Sequence, residues 1–300
     1  MPDSPPLKTP PLPMAHLTGP RPALDPRTHL ARPDLVEISL AASVAAARYT
    51  APQPMACALP RAAMRANASP DATAVSEVLH GEAFDLYDLS PCGGWAFGRT
   101  LHDQYLGWVP AHALTDRTPA PTHRITARSA PVFTAADIKS PVLALLPMGS
   151  HIHASPQGRL LALASGGHVH AAHTSPLPHT GPLAPRLLGI ARRFLGAPYV
   201  WGGRSPHGVD CSGLVQASLS FCDIAAPRDS DQQRDTLGHP VAMADRTAGD
   251  LVFFPGHVGI LAPDDLLLHA NAHWMATVEE PLQDVLARQN AAEPLAIRRL

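Results

Sequence analysis

Between residues 55 and 173 the apolar residues come in short runs that turn-forming residues interrupt. Runs of this kind are typical of small β-barrels. We therefore predict one barrel from about 55 to 116 and a second, degenerate copy from about 123 to 173. The predicted strands are 74–79, 83–87, 95–99 and 107–109 in the first copy, and 125–127, 142–146, 151–154, 160–164 and 168–172 in the second.

The N-terminal stretch has a different composition. Residues 1 to about 30 combine many prolines with no hydrophobic period, so we predict a poorly ordered, Pro-rich arm over 1–54 that is free to pack along the domains. Residues 1–14 contain no apolar stretch of the length that a signal peptide or membrane helix requires. We expect a cytoplasmic protein.

Charge limits the class of partner. The formal net charge is -2, only 16% of the residues are charged, and there is no run of five or more Lys and Arg. A surface of this kind does not select a nucleic-acid backbone. We expect neither a nucleic-acid nor a membrane partner.

The C-terminal third changes from strand patterns to helices followed by strands. A linker with four prolines at 174–185 leads to an amphipathic helix that begins at Pro185 and ends at Gly196. A Gly- and Pro-rich loop, a helix from Cys211 to about Cys222 and a polar segment follow. The predicted fold class is α+β, with helices packed on an antiparallel sheet whose strands are 250–254, 257–262, 266–270 and 275–279.

Cys211 is the first candidate for chemistry. Asp210 precedes the helical pattern as a good N-cap, which places Cys211 in the first turn, where the helix dipole favours a thiolate. Cys222 lies eleven residues on, about 16 Å along the helix, so the two cannot form a disulfide. The simpler interpretation of Cys211 is a small buried residue, but the small neighbours Ser212 and Gly213 favour an open site.

A cysteine nucleophile needs a base and a group that orients the base. His257 opens one predicted strand and His269 closes the next. If the hairpin loop is centred on Pro263, the two positions face each other and share a face of the sheet. A zinc site is the competing hypothesis, but no CxxC or HxxxH spacing supports it, and we expect neither a metal nor a cofactor. Its candidate ligands are Cys211, Cys222, His257, His269 and His273.

Six motifs, in this order, resemble the NlpC family of cell-wall cysteine peptidases over about residues 185–280, and we assign the domain to 185–300. They are GAPYVWGG at 196–203, VDCSGLV at 209–215, RDSDQQ at 228–233, GDLVF at 249–253, GHVGI at 256–260 and LHA at 268–270. The resemblance implies a papain-like fold in which Cys211 attacks, His257 transfers the proton and His269 orients His257. It also implies that the hydroxyl of Tyr199, with the backbone N–H of Cys211, forms the oxyanion site.

A second resemblance lies upstream. LHGEAF at 79–84, GWAFG at 94–98 and DQYLGWV at 103–109 are similar to a bacterial SH3-type domain, which we assign to 55–118. The region 119–176 would be a second, degenerate SH3-like domain or only a spacer. The layout resembles the dipeptidyl-peptidase VI branch, in which such a domain closes one end of the cleft and only stem peptides with a free N-terminal L-alanine fit.

By this resemblance a group of residues binds the substrate. The alternatives are a solvated barrel position for Glu82, core packing for Tyr105, Tyr199 and Trp201, and a helix cap for Asp210. The candidates are Glu82, Tyr105, Trp201, Asp210, Ser212, Arg228, Asp229 and Ser230.

The sequence thus predicts a cysteine endopeptidase that hydrolyses the bond between γ-D-glutamate and the diamino acid, meso-diaminopimelate or L-lysine, of peptidoglycan stem peptides during murein peptide recycling. Two alternatives stay open. One is a scaffold that binds cell-wall peptides without catalysis, and the other is a peptidyl transferase that uses the same thiolate.

Overall fold

The computed structural model describes residues 23–116, 119–177 and 183–300. Part of the predicted arm, residues 1–22, lies outside these ranges. The rest of the arm packs against the first barrel, where Leu30 and Leu35 are buried in one cluster with Tyr87, Phe97 and Leu106. Its two short strands pair in parallel, β1 (Val36–Glu37) with β2 (Tyr49–Thr50).

The first barrel is a seven-stranded sheet in the order β5-β4-β8-β7-β6-β3-β9, in which all neighbours are antiparallel. Its strands are β3 (Gln53–Cys57), β4 (Arg61–Arg65), β5 (Ala74–Leu79), β6 (Ala83–Leu89), β7 (Trp95–Thr100), β8 (Leu106–Pro110) and β9 (Leu114–Asp116). The sequence predictions missed β3, β4 and β9. In β4 only Ala62 and Met64 face the core, so a half-buried strand with flanking arginines shows no apolar run.

The second region also consists of strands. They form a five-stranded sheet, β12-β11-β16-β15-β14, and a three-stranded sheet, β13-β10-β17. The strands are β10 (His123–Ile125), β11 (Ser129–Phe133), β12 (Val142–Pro147), β13 (His151–Ile152), β14 (Ala154–Gln157), β15 (Leu160–Leu163), β16 (His168–His170) and β17 (Thr174–Pro176). Strand β17 occupies the start of the predicted linker, because residues 174–176 pair with β10.

The C-terminal domain is α+β as predicted, with an antiparallel sheet in the order β20-β25-β21-β22-β23-β24. Helix α2 shares one hydrophobic cluster with this sheet and α4 shares another. The elements are α1 (Leu183–Ala191), β18 (Arg204–Ser205), β19 (Gly208–Val209), α2 (Cys211–Ser220), α3 (Ser230–Thr236), β20 (His239–Pro240), β21 (Leu251–Phe254), β22 (His257–Ala262), β23 (Leu266–Asn271), β24 (Ala276–Pro281), α4 (Leu282–Arg288) and β25 (Ala296–Arg299).

Helix α2 is the central element of this domain, and its residues 211–219 are all buried. A helix buried on every side needs small residues where other segments approach it. A Cβ placed on Gly213 would lie 2.2 Å from the carbonyl oxygen of Gly203, so only glycine fits at this position. The small residues beside Cys211 thus allow the loop before α2 to pack directly on its first turn.

Buried polar contacts join the three units. The guanidinium of Arg204 (β18) donates to both carboxylate oxygens of Glu82 in the first barrel, at 3.0 and 3.2 Å. From the second region, Arg124 donates to the carbonyl of Ser220 at the end of α2. These contacts fix the first barrel beside the first turn of α2. No helix in the described ranges combines the length and apolarity required to cross a bilayer.

Candidate active site

The nucleophile candidate lies where the sequence pattern predicted it. Helix α2 begins at Cys211, and its N-cap Asp210 accepts a hydrogen bond from the backbone N–H of Gly213 at 2.7 Å. Arg228, which is 1% exposed, holds this cap by donating to both Asp210 oxygens and to the hydroxyl of Ser212. Asp210, Ser212 and Arg228 therefore form a buried network that supports the first turn, whereas the resemblance implied that they bind substrate.

The thiol of Cys211 is buried, which decides its protonation state. Burial raises its pKa to about 11, and the charge of Asp210 adds to this, although the backbone N–H groups of Val258 and Ser212 act in the opposite direction. The predicted thiolate is therefore wrong for the resting site, because burial disfavours the charged form of the thiol. Activation requires a base.

His257 and His269 form that base and its partner. The Nε2 atom of His257 lies 2.8 Å from Nδ1 of His269, and both rings lie on the same face of the hairpin. Ile260 pairs with Leu268, so the loop is centred on residue 264 and the two histidines are diagonal neighbours instead of directly opposite. Burial lowers the pKa of His257 to about 3, and the neighbouring His269 adds to this, which leaves a neutral imidazole.

Cys211 reaches this pair through the packing of α2 on β22. The backbone N–H of Val258, the residue after His257, interacts with the Cys211 thiol. A neutral thiol at the start of the helix thus contacts the backbone of the strand that carries the neutral imidazole. This arrangement suits nucleophilic catalysis in which the base removes the thiol proton when substrate is present.

Sequence reasoning missed a group of residues behind His269. The Nε2 atom of His269 lies 2.8 Å from Oε1 of Glu280 and 2.9 Å from Nδ2 of Asn271. Trp274 and Arg288 also donate to Glu280. A signal was available, because Glu280 follows Val278 by two residues on the face of β24 where Val278 pairs with His269.

The aromatic residues of the preceding loop differ in burial. Tyr199 is half-buried against the domain core, and burial together with the charge of Asp210 raises the pKa of its hydroxyl, which therefore stays protonated as a donor. Trp201 is 63% exposed, so the core-packing alternative for it is wrong. Its indole is available to a ligand instead.

An acidic group lies where the first barrel, the N-terminal segment and α3 meet. The hydroxyl of Tyr105 donates to Oδ2 of Asp229 at 2.9 Å, and so does Arg27 at the same distance. Arg27 also pairs with Asp25 and Asp231, so three carboxylates surround one guanidinium. The Oδ1 atom of Asp229 accepts no hydrogen bond from the described residues. Tyr105 and Asp229 are thus brought together as the resemblance implied, and Asp25 and Arg27 were not foreseen.

Two further candidates take different positions. Ser230 begins α3 and lines a cavity of about 230 Å³ with Phe254 and Gly256, next to His257. Glu82 is buried, and both its oxygens accept hydrogen bonds from Arg204. In this conformation Glu82 belongs to the contact between domains, not to the acidic group around Asp229.

The zinc alternative does not assemble. Within residues 23–116, 119–177 and 183–300, no three His, Cys, Asp or Glu side chains converge as metal ligands would. All four cysteines are free thiols, and His273 stacks edge-on against Trp274.

In a comparison with known proteins, two family models match parts of this chain. The NlpC/P60 family matches residues 196–289, and the bacterial dipeptidyl-peptidase SH3 domain matches residues 64–114. A solved NlpC/P60 family protein from Bacillus cereus superposes with a TM-score of 0.69 and 20% identity over 82% of this chain and 99% of that one. At this identity the likeness shows the fold, which is papain-like in the C-terminal domain.

Curated relatives match about a third of this chain. A probable endopeptidase of Corynebacterium glutamicum is 39% identical over 103 residues, which are 33% of this chain and 47% of that protein. Dipeptidyl-peptidase 6 of Lysinibacillus sphaericus is 38% identical over 28% of this chain and 31% of its own length. The γ-D-glutamyl-L-lysine dipeptidyl-peptidase of Bacillus subtilis is 32% identical over 34% and 37% respectively. The chain thus spans less than half the length of these relatives.

The sequence motifs, the thiol at the start of α2 and the histidine pair all fall within the matched segment. The chain therefore combines an NlpC/P60 family domain at residues 196–289 with a bacterial dipeptidyl-peptidase SH3 domain at residues 64–114.

Proposed function

We propose that this protein is a cysteine peptidase that hydrolyses the γ-D-glutamyl–diamino acid bond of peptidoglycan stem peptides with a free N-terminal L-alanine. The observation that carries the proposal is the pair of His257 and His269, whose ring nitrogens lie 2.8 Å apart on two strands that pack against the helix beginning at Cys211. The names of the Lysinibacillus and Bacillus relatives support the substrate class.

In the proposed mechanism, His257 accepts the thiol proton as the sulfur of Cys211 attacks the carbonyl carbon of the γ-amide. The hydroxyl of Tyr199 and the backbone N–H of Cys211 donate to the oxyanion of the tetrahedral intermediate. When the intermediate collapses, His257 gives its proton to the departing amine of the diamino acid. Water, activated by the same imidazole, then hydrolyses the thioester and restores the thiol.

The acidic group supports a preference for a free amine. Three carboxylates and one guanidinium leave a local charge of −2, and Oδ1 of Asp229 is available to accept from an ammonium group. Tyr105 and Arg27 hold the other oxygen, so the free one is fixed in position. In this proposal Asp229, Tyr105 and Ser230 recognise the amino end, and Trp201 packs on the peptide.

The proposal also includes a role for the second region and a cellular location for the protein. Residues 119–176 act as a degenerate SH3-like spacer, because Arg124 joins this region to α2 and the backbone N–H of His151 joins it to the carbonyl of His80 in the first barrel. The cytoplasmic location and the role in murein peptide recycling are parts of the same proposal. Fractionation of the native cells tests the location.

Mass spectrometry of L-Ala-γ-D-Glu-meso-diaminopimelate and of its L-lysine analogue tests the activity, with each peptide also prepared in N-acetylated form. We expect the wild type to release L-Ala-γ-D-Glu, Cys211→Ala to release none, and acetylation to abolish cleavage. Tyr105→Phe should raise KM for the free peptide about tenfold, the value of one hydrogen bond to a charged group.

Tyr49→Phe is the matched control for the loss of a hydroxyl, because Tyr49 lies in the N-terminal segment and donates only to the backbone of Val44. Equal cleavage of free and acetylated peptides would remove the amine site from the proposal. No cleavage by the wild type would favour a binding scaffold, and peptide products joined to a second amine would identify a transferase.

A further inference from the structure

Three groups form a series of short contacts that begins beside the nucleophile. It runs from His257, whose neighbour Val258 contacts the Cys211 thiol through its backbone N–H, to His269 and then to Glu280. The two ring nitrogens that meet lie 2.8 Å apart, and His269 Nε2 lies 2.8 Å from Glu280 Oε1. His269 is 1% exposed and Glu280 is 9% exposed, so water competes little for these bonds.

The carboxylate of Glu280, at the end of this series of contacts, determines which ring nitrogens of His269 and His257 carry protons. An ionised carboxylate only accepts hydrogen bonds, so Nε2 of His269 must carry its proton and Nδ1 must be bare. A bare Nδ1 accepts from His257, which places the proton of His257 on Nε2. The Nδ1 atom of His257 is then unprotonated, and this is the state that a base for the Cys211 thiol needs.

Glu280 is held in its ionised form. Burial opposes its ionisation, but hydrogen bonds from Arg288, Trp274 and His269 outweigh this, so the pKa of its carboxyl lies below the ordinary value. Trp274 donates to Oε2 at 3.1 Å, while Arg288 and His269 both donate to Oε1. The side chain is therefore fixed as well as charged.

The side chain of Asn271 favours the other tautomer of His269, in which Nε2 carries no proton. Its Nδ2 atom is a donor 2.9 Å from the same ring nitrogen, and its Oδ1 atom is occupied by the backbone N–H of Trp274. Acting alone, the amide would favour a bare Nε2 on His269 and would place the proton of His257 on the nitrogen that should accept from the thiol. A bond to a charged carboxylate is roughly twice as strong as one between neutral groups, so Glu280 prevails.

We propose that Glu280 is a positioning residue that sets the tautomers of His269 and His257 and so keeps His257 ready to act as a base. This inference rests on the proposed cysteine peptidase function but reaches beyond the Cys211, His257 and His269 set. The hydrogen-bond partners of the carboxylate are His269, Trp274 and Arg288, and the thiol is not among them. Glu280 acts on the site through the imidazole rings of His269 and His257.

The test exchanges the carboxylate of Glu280 and the amide of Asn271, the two side chains that contact Nε2 of His269. Glu280→Gln removes the charge, and the double variant Glu280→Gln, Asn271→Asp restores a carboxylate on the other neighbour of His269 Nε2. Glu279→Gln is the matched control, because Glu279 is the adjacent residue and pairs only with Arg192. Melting temperatures of all variants confirm folding.

We expect Glu280→Gln to lower kcat by about tenfold to a hundredfold with KM within about twofold, because the tautomer is lost while the binding surface is kept. The double variant should recover most of kcat, and Glu279→Gln should match the wild type. In ¹⁵N NMR of labelled histidines, the wild type should show His257 and His269 protonated at Nε2, and Glu280→Gln should show a mixture of tautomers.

The NMR measurement needs no substrate, so it separates the two proposals. A wild type that cleaves no peptide but has both rings protonated at Nε2 would overturn the function and leave the role of Glu280 standing. Unchanged tautomers and unchanged kcat in Glu280→Gln would overturn the role of Glu280 and leave the peptidase standing. Loss of kcat without recovery in the double variant would show a purely structural contribution and would also overturn the inference.

Discussion

The buried ion pair between Glu82 and Arg204 should hold the first barrel to the catalytic domain. Burial disfavours ionisation of Glu82, but the charge of Arg204 and its hydrogen bonds outweigh burial and lower the pKa of Glu82 from 4.5 to about 2. At about 1.4 kcal/mol for each pH unit, the ionised form is stabilised by about 3 kcal/mol on folding. We expect Glu82→Gln to lower the free energy of unfolding by about this amount at pH 7.

The pH dependence has a definite sign. A carboxyl whose pKa is lowered by folding contributes stability above its unfolded pKa near 4.5, and this contribution is lost as pH falls through about 2. The difference in stability between wild type and Glu82→Gln should therefore be constant from about pH 6 to 8 and should shrink in acid. Glu279→Gln should cost less than about 1 kcal/mol, because its partner Arg192 is 45% exposed.

Urea unfolding followed by tryptophan fluorescence measures these values, since Trp95 and Trp108 lie in the first barrel and Trp201 and Trp274 in the catalytic domain. A double-mutant cycle with Arg204→Met isolates the pair, and we expect the double variant to be more stable than Glu82→Gln, in which a buried guanidinium loses its partner. A loss below about 1 kcal/mol, together with a raised KM for free-amine peptides, would refute this reasoning and make Glu82 a substrate ligand.

Two further predictions concern the first turn of α2 and the N-terminal segment. Gly213→Ala should destabilise the catalytic domain by several degrees in Tm, because its Cβ would lie 2.2 Å from the carbonyl oxygen of Gly203, and an unchanged Tm would contradict the close packing. Arg27→Ala should cost at most about 1 kcal/mol, since its ion pairs are partly exposed. It should lower KM for free-amine peptides about threefold by leaving more negative charge near Asp229; a raised KM would show that Arg27 mainly positions that carboxylate.

Local patterns were sufficient for much of the fold. The strand β5 (Ala74–Leu79), the strand β22 (His257–Ala262) and the cap at Asp210 were all correctly predicted. In each, neighbouring residues in the chain supply the signal, either as an apolar run or as a capping side chain. Strands β4 and β11 were missed because the first shows alternating small residues and the second contains a proline, so neither forms an apolar run.

In the candidate site, too, residues within local motifs could be predicted and residues that meet through distant contacts could not. Cys211, His257 and His269 could be named because each lies within a short motif on one element. Asp25 and Arg27 could not, because Arg27 contacts Asp229 and Asp25 contacts Gln232 from more than 200 residues away in sequence. The ion pair of Glu82 could not be predicted either, since its partner Arg204 lies in another domain.

The sequence by itself determined the four central strands of the catalytic domain, the thiol at a helix start and the two histidines of one hairpin, because these depend on contacts within short segments. Only the tertiary structure decided that the thiol is neutral, that the hairpin is centred on residue 264, and that Glu280 lies behind His269. Burial and the pairing of charges depend on which distant segments pack together. That packing creates the low-polarity interior in which a single carboxylate can control the protons of two rings.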